Sequence, residues 1–424
     1  MRYIADFHIH SKYSRATSRE MDLEHISEWA KIKGIQIVGT GDFTHPEWLE
    51  EIKNKLEPAE AGLFKFKNSS SAIRFILTTE ISCIYSKGNK VRKIHLVFFA
   101  PNLESVEKFN TQLGWTGGNL KSDGRPILGM DVKELVKIAL DISKDFFIVP
   151  AHIWTPWFSV FGSKSGFNSI EECFEEYTNN IFALETGLSS DPAMNWMVSG
   201  LDKYTLISNS DAHSPAKLGR EANIFEGSEI DYFKIIEAIK QGGKENELPL
   251  KMKATIEFFP EEGKYHYDGH RVCDVCLAPK ETKKYNGICP KCGRPLTVGV
   301  LYRVGELADR DEGFKPKNSL PFYNLVPLQE IIADSLNLTT VSQKVKNEYD
   351  NLIKNFDNEF NVLLDVSEQN LMEKIDLRIA KGIINVRQGK VGKEPGYDGV
   401  FGKIRVSPNG NIEKKKQKKQ ESLF

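Results

Sequence analysis

No apolar run in the chain reaches the roughly 18 residues that a membrane-spanning helix needs, so no membrane partner is expected. There is no room for a cleavable secretory leader ahead of the first ligand-type histidine, at position 8. The expectation is therefore an intracellular, cytoplasmic protein. Cysteine is scarce. Four of the six residues form two C-x-x-C pairs, the pattern of a metal site rather than of a disulfide ladder. Cys83 and Cys173 lie in apolar surroundings and read as core positions. An excess of charge is missing too: the formal net charge is -1, so no global basic field announces a polyanionic partner. Local fields remain, since the last fourteen residues hold five lysines against two glutamates. No G-x4-G-K-[ST] loop occurs, which excludes a P-loop helicase.

What the 424 residues do contain is an ordinary share of apolar (40%) and charged (27%) side chains, enough for two or three domains. The organising stretch is Ile4-Ala5-Asp6-Phe7-His8-Ile9-His10-Ser11. As a strand it would send His8 and His10 to one face, where two imidazoles can bind one metal ion. Alone, the pair could equally be two polar residues on a solvated face. Five later apolar runs also end on ligand-type residues, at Asp42, Glu80, His95, His152 and the Ser210-Asp211-Ala212-His213 segment. A set of that kind suits a multinuclear centre at the mouth of a barrel.

Strands are expected at residues 3–10, 35–42, 73–85, 91–100, 145–153, 181–187 and 204–211. Amphipathic helices interleave with them, for instance Asp22 to Lys33, closed by Gly34, and Val132 to Ile142. Seven strands in this order, with one β-β step near 73–100, argue for an α/β fold of the (β/α)7 barrel type over residues 1–255. The working residues of such barrels sit at the C-terminal ends of strands, where Asp42, Glu80, His152, Glu185 and Asp211 fall.

Residues 256–300 read as a zinc-binding module. Cys273, Cys276, Cys289 and Cys292 form C-x2-C-x12-C-x2-C, the spacing of two knuckles closing on one structural zinc. His266 and His270 are surrogate ligands or, with four cysteines present, lie on the surface or against a partner. Residues 301–407 read as a small helical domain, with helices over Leu328 to Leu336, Val341 to Phe356 and from Ser367 to about Ala380, stopping at Gly382. The turn Pro395-Gly396-Tyr397-Asp398-Gly399, with Arg387, Lys390, Lys393, Lys403 and Arg405 around it, suits contact with a phosphate backbone. Residues 408–424 form a basic tail, expected to be disordered. Its end, Gln420, Leu423 and Phe424, resembles a shortened form of the motif that docks on replication sliding clamps.

Asp6-x-His8-x-His10, Gly41-Asp42, Thr79-Glu80, His95, Ala151-His152 and Ser210-Asp211-Ala212-His213 resemble the motifs of the polymerase and histidinol phosphatase (PHP) superfamily. The resemblance implies a distorted PHP-type barrel. His8, His10, Glu80 and Asp211 would hold a first divalent ion (Zn, Mn, Fe or Mg). Glu80 would bridge to a second ion held by His95 and His152, and a third would use Asp42 and His213. The chain departs from the superfamily at Asp42-Phe43 and at Ser14 to Thr17, where many members carry histidine; either His45 substitutes or the third site is weaker.

The whole order of barrel, cysteine module, helical segment and tail resembles the endonuclease Q family. That likeness implies cleavage of DNA by metal-activated water, 5′ to deaminated bases (uracil, hypoxanthine, xanthine) and to abasic sites, in a nucleoid-associated protein. An enzyme that inspects one base in a duplex flips it out. Trp154, Trp157, Phe158 and Asn168 are expected to bind the substrate, with Trp115 to Asn119 as secondary candidates. Asp191 is placed for proton transfer or, more simply, as a helix cap. The alternatives are a histidinol-phosphatase-like phosphomonoesterase, which leaves everything after residue 255 without purpose, and a non-catalytic zinc-containing DNA or clamp adaptor.

Overall fold

The computed structural model describes residues 1–407. Seven staves surround the barrel core: β1 (Arg2–Asp6), β2 (Ile37–Gly39), β3 with β4 (Arg74–Ile76 and Thr78–Lys87, one stave bent at Leu77), β5 (Lys90–Phe99), β6 (Phe147–Pro150), β7 (Ala183–Glu185) and β8 (Thr205–Ile207). β1, β2 and β3 pair in parallel, β4 and β5 form the expected antiparallel step, and β7 and β8 pair in parallel. Phe7, Val97, Phe99, Val149, Ala183 and Ile207 fill the interior. The alternation of helix and strand thus gives the distorted α/β barrel that its pattern implied.

The staves are shorter than their apolar runs suggest, and this corrects the reading of the first motif. β1 ends at Asp6, so His8 and His10 lie beyond it on an extended segment. That segment is held by an isolated parallel bridge from Ile9 to Ala212. The ladder is lost there because β1 takes Ala222–Gly227 as its antiparallel neighbour, where β8 would close the ring. Side chains close the seam instead. Asn209 Oδ1 accepts from the Phe7 amide at 2.9 Å and from Asn223 Nδ2 at 3.0 Å. Asp6 accepts from the amides of Ser210 (3.0 Å) and Gly219 (2.9 Å). Burial pushes the Asp6 carboxyl up to about 6.

The large sheet runs on past the expected boundary at 255–256, since Phe322–Asn324 pairs in parallel with Leu250–Glu257. Beyond it, Leu328–Leu336 forms as expected, and Gln343–Phe356 starts on a Ser342 cap. The third helix is two helices. Ser367 caps Glu368–Lys374, then Asp376 caps a new helix, Leu377–Arg387, which runs straight through Gly382. Here glycine serves packing rather than termination: a Cβ at Gly382 would stand 2.5 Å from Ser335 Oγ on helix Leu328–Leu336. The helical region is tied to the barrel by a buried Lys33–Glu359 ion pair at 2.7 Å. Among the described residues no helix is long and apolar enough to cross a membrane.

Candidate metal centre and adjoining cavity

The donors converge where the staves end. Asp42, His152 and Asp211 each take a positive φ (51°, 30° and 47°) in the loops that follow β2, β6 and β8. Backbone of this kind costs on the order of 1–3 kcal/mol where a side chain adopts it, and it gathers at functional sites. Glu80 arrives differently, near the start of β4 rather than at a strand end.

Two donor groups result, sharing Glu80: His8, His10, Glu80 and Asp211, and Glu80, His95 and His152. In the first, His10 Nε2 lies 3.0 Å from Asp211 Oδ1 and 3.3 Å from Glu80 Oε2. His8 Nε2 lies 3.6 Å from Glu80 Oε2 and 3.8 Å from Asp211 Oδ1. Those spacings match the edge, about 3.4 Å, of a tetrahedron whose metal–ligand distance is about 2.1 Å. In the second group Glu80 Oε1 lies 2.6 Å from His95 Nδ1 and 3.2 Å from His152 Nε2.

The fit to a cation rests on atoms without partners. His8 Nε2, His10 Nε2 and Asp211 Oδ1 are buried and make no hydrogen bond, although the last two are within reach of each other. All three belong to one donor group whose ligand atoms lie within 4.8 Å of one another. Leaving such atoms unpaired costs about 1–3 kcal/mol each, which a bound divalent ion would offset. The far ring nitrogens are occupied: His8 Nδ1 is 3.0 Å from both oxygens of Glu185, and His10 Nδ1 is 3.1 Å from Asp42 Oδ1. A carboxylate on Nδ1 fixes the tautomer that leaves Nε2 free for metal.

Burial alone would push His8 and His10 down, but Glu185 and Glu80, and Asp42 and Asp211, hold them well above the usual imidazole range. Burial opposes ionisation of Glu80, yet His95, Arg125 and His8 hold it well below the carboxylate range. Asp211 is likewise lowered against its burial, by His10 and His8. His95 is pushed down to about 4 by burial.

Among the described residues, Asp42 and His213 join no group of three or more donors. Asp42 spends its second oxygen on the Ser11 amide (2.6 Å), the Ser11 hydroxyl (2.7 Å) and the Ser14 hydroxyl (2.8 Å), so it orients His10. His213 turns Nδ1 to its own loop, at Asp211 O (2.9 Å), and packs on His10. His45 stacks on Tyr13 at 4.4 Å and joins no donor group. Asp191 caps the short helix Pro192–Asn195, accepting from the Met194 amide at 3.0 Å, and is raised by burial.

A cavity of about 730 Å³ opens beside the donors, reaching His152, Asp211, Trp157, Phe158, Tyr265 and Phe401. Trp157 and Phe158 line it. Trp154 does not: it is buried, donates Nε1 to Asn195 Oδ1 at 2.8 Å and packs on Phe161. Asn168 is tied to Arg303 at 2.7 Å and is not part of the wall. Trp115 stands exposed, also away from it.

One residue escaped the sequence reading. Arg125 donates to Glu80 Oε2 at 3.0 Å, and Asp211 helps to raise its pKa against burial. It rides on a loop pressed against Asp42 at Gly124, where a Cβ would collide with Asp42 and Ser14. No motif marks an arginine in a loop.

The cysteine module corrects the four-thiolate expectation. Its donor group is His270, Cys273, Cys289 and Cys292, while Cys276 turns to Pro395 O at 3.9 Å. Asp268–His270 and Val275–Leu277 form an antiparallel pair with His270 opposite Val275 and Gly269 opposite Cys276. Alternation then puts His270 and Val275 on one face and Cys276 on the other. Val275 packs inward beside Cys289. Three thiols and an imidazole fit a tetrahedral divalent ion as well as four thiols do. Gln420, Leu423 and Phe424 lie outside the described residues.

Residues 327–390 match the family model of the MJ0043 C-terminal domain. The chain is 33% identical to the uncharacterized protein MJ0043 of Methanocaldococcus jannaschii over 314 residues, 72% of this chain; it spans only 38% of that protein's length. It is 28% identical to the uncharacterized protein YqxK of Bacillus subtilis over 420 residues, covering 95% of this chain and 98% of that one. The lesion-specific endonuclease PfuEndoQ from Pyrococcus furiosus superposes with a TM-score of 0.84 at 33% identity, over 96% of this chain and 95% of that chain. An endonuclease Q bound to a 27-mer duplex with an abasic lesion at its active site gives 0.83 at 33% identity, over 96% of both chains. With a common fold and a third of its residues identical over nearly the whole of both molecules, this chain belongs to the endonuclease Q family.

Proposed function

We propose that the protein is a DNA repair endonuclease that cuts the phosphodiester 5′ to a deaminated base (uracil, hypoxanthine or xanthine) or an abasic site, leaving 3′-hydroxyl and 5′-phosphate ends. The observation that carries this reading is the buried, partnerless set His8 Nε2, His10 Nε2 and Asp211 Oδ1, at the edge of a cavity with aromatic walls that Asp211 itself lines. The likeness to the endonuclease Q–abasic DNA complex supports DNA as the substrate.

His8, His10, Glu80 and Asp211 would hold one ion, and Glu80, His95 and His152 a second. Such ions lower the pKa of a coordinated water and neutralise charge on a phosphoryl group. The protein's own part is to hold these groups in place. Glu185 and Asp42 fix the two imidazoles. Arg220 donates Nε to Ser210 O at 2.8 Å and steadies the loop that carries Asp211. Arg125, a guanidinium at the edge of the donor set, suits a non-bridging oxygen of the scissile phosphate. Trp157 and Phe158 offer faces for an extruded base. His270, Cys273, Cys289 and Cys292 would hold one structural zinc. Residues 1–255 would form the catalytic domain, 256–300 the zinc module and 301–407 a DNA-binding region.

The test is incubation with a duplex carrying one uracil, hypoxanthine, xanthine or abasic site, its strands labelled separately, with Mn or Mg and an undamaged control. A nick just 5′ of the lesion on the damaged strand is the expected result. Hydrolysis of a small phosphomonoester without any nick would overturn the reading.

A further inference from the structure

If a base leaves the stack to enter the cavity, a gap remains in the duplex, and a side chain must fill it or the helix collapses back. Such a side chain has four requirements: a position at the cavity rim, an exposed ring, no partner ring that already covers it, and a backbone rigid enough to resist the DNA.

Of the rim aromatics, Phe158 packs on His95 at 4.7 Å, while Trp157 and Tyr265 meet edge-to-face at 5.6 Å. Phe401 is different. It lines the cavity, is 63% exposed and pairs with no other aromatic ring among the described residues. Its neighbour is Lys264, whose Nζ lies 4.9 Å from the ring centre, a cation set to meet backbone phosphate beside an inserted ring.

The loop beneath Phe401 is pinned along its length. Gly396 and Gly402 donate to Glu261 O (2.7 Å) and Glu262 O (3.0 Å), and Gly399 donates to Lys264 O at 2.8 Å. Side chains at Gly396 or Gly402 would run into the backbone of Gly263 or Glu261. The cysteine module holds the other flank, with the Arg271 amide donating to Asp398 Oδ2 at 2.6 Å and Tyr397 Oη to Asp274 Oδ1 at 2.7 Å. Both anchors, Arg271 and Asp274, lie between the donors His270 and Cys289, flanking Cys273. The Pro395–Gly402 turn is thus a stiff mount for one exposed ring.

We propose that Phe401 is the wedge that enters the base stack at the vacated position, on a loop stiffened by the cysteine–histidine metal module. The inference rests on the nuclease reading above and names the residue that makes it selective for duplex DNA. A wedge matters where there is a stack to hold open and matters less on an unpaired strand. The ratio of nicking rates, uracil in duplex over uracil in a single strand, is therefore the quantity to measure.

Phe401→Ala should lower that ratio by about 5- to 150-fold, as expected from a stacking contact of about 1–3 kcal/mol; Phe401→Trp should restore it. In an uncut complex, 2-aminopurine beside the uracil should brighten on binding to the unaltered protein and stay dark with Phe401→Ala. An unchanged ratio, or equal losses on both substrates, would overturn the wedge. Absence of nicking by the unaltered protein would overturn the nuclease reading, and the wedge with it.

Discussion

The two donor groups at the barrel mouth and the one in the cysteine module are built on opposite principles. At the mouth every donor sits over a large core, and the two histidines of the first motif are held from behind by Glu185 and Asp42. In the module the donors range from buried Cys289 to exposed Cys292, over an apolar cluster of only Val275, Cys289 and Leu296 with Cys273 and Leu277 against it. The first site is shaped by the fold before any ion arrives. The second has too little core to shape itself, so an ion bound there would contribute to its folding. Removing metal should therefore cost the barrel its chemistry and the module its structure.

The largest effect that would break this contrast concerns Asp211. Asp211→Ala should lower the nicking rate by a factor of about a thousand, several kcal/mol of transition-state stabilisation, with the thermal midpoint little changed. A collapsed midpoint would mean that the mouth is not pre-built.

In the module the order reverses. His270→Ala should weaken metal binding and destabilise the region by several kcal/mol, since binding energy there would be folding energy. Cys276→Ser should keep one zinc per module, and metal analysis of the two variants decides between His270 and Cys276 as the fourth donor.

Glu185→Gln sharpens the comparison more gently. Weakening the carboxylate behind His8 should reduce metal affinity by about 10- to 100-fold, the usual effect of such a partner, as read by competition with a chelator.

The smallest effect is on stability and pH. Glu262, on the cavity wall, is pushed up to about 8 by burial and then by Glu330. Its folded pKa lies above its unfolded value of about 4.5, so its contribution is fully present below pH 4.5 and is lost as pH rises towards and through 8. Glu262→Gln should raise Tm by a few degrees at pH 9 relative to the parent and hardly at all at pH 5.

The barrel was legible because its signals are local and periodic: apolar runs ending in ligand-type residues name their own positions, and His8, His10, Glu80, His95, His152 and Asp211 do meet in two groups. What sequence could not supply was the register between strands. The identity of the fourth module donor depends on whether Cys276 faces Gly269 or His270, a one-residue choice with no trace in cysteine spacing. Gly382 misled for a related reason, because a glycine that admits a neighbouring helix looks like one that ends its own. Asp42 has the right type and place for a ligand, but Ser11 and Ser14 occupy its outer oxygen. Trp154 and Trp157 are three residues apart in one loop, and only the folded chain shows one buried and the other at the cavity.

The most direct test of the central claim, that the partnerless atoms of His8, His10 and Asp211 hold the ions that cut DNA beside a lesion, is a metal add-back on an abasic duplex. Chelator-stripped protein should leave the damaged strand intact, and Mn should restore a single nick 5′ of the lesion in the parent but not in His8→Ala. Full nicking by the stripped protein, or equal restoration in His8→Ala, would contradict it.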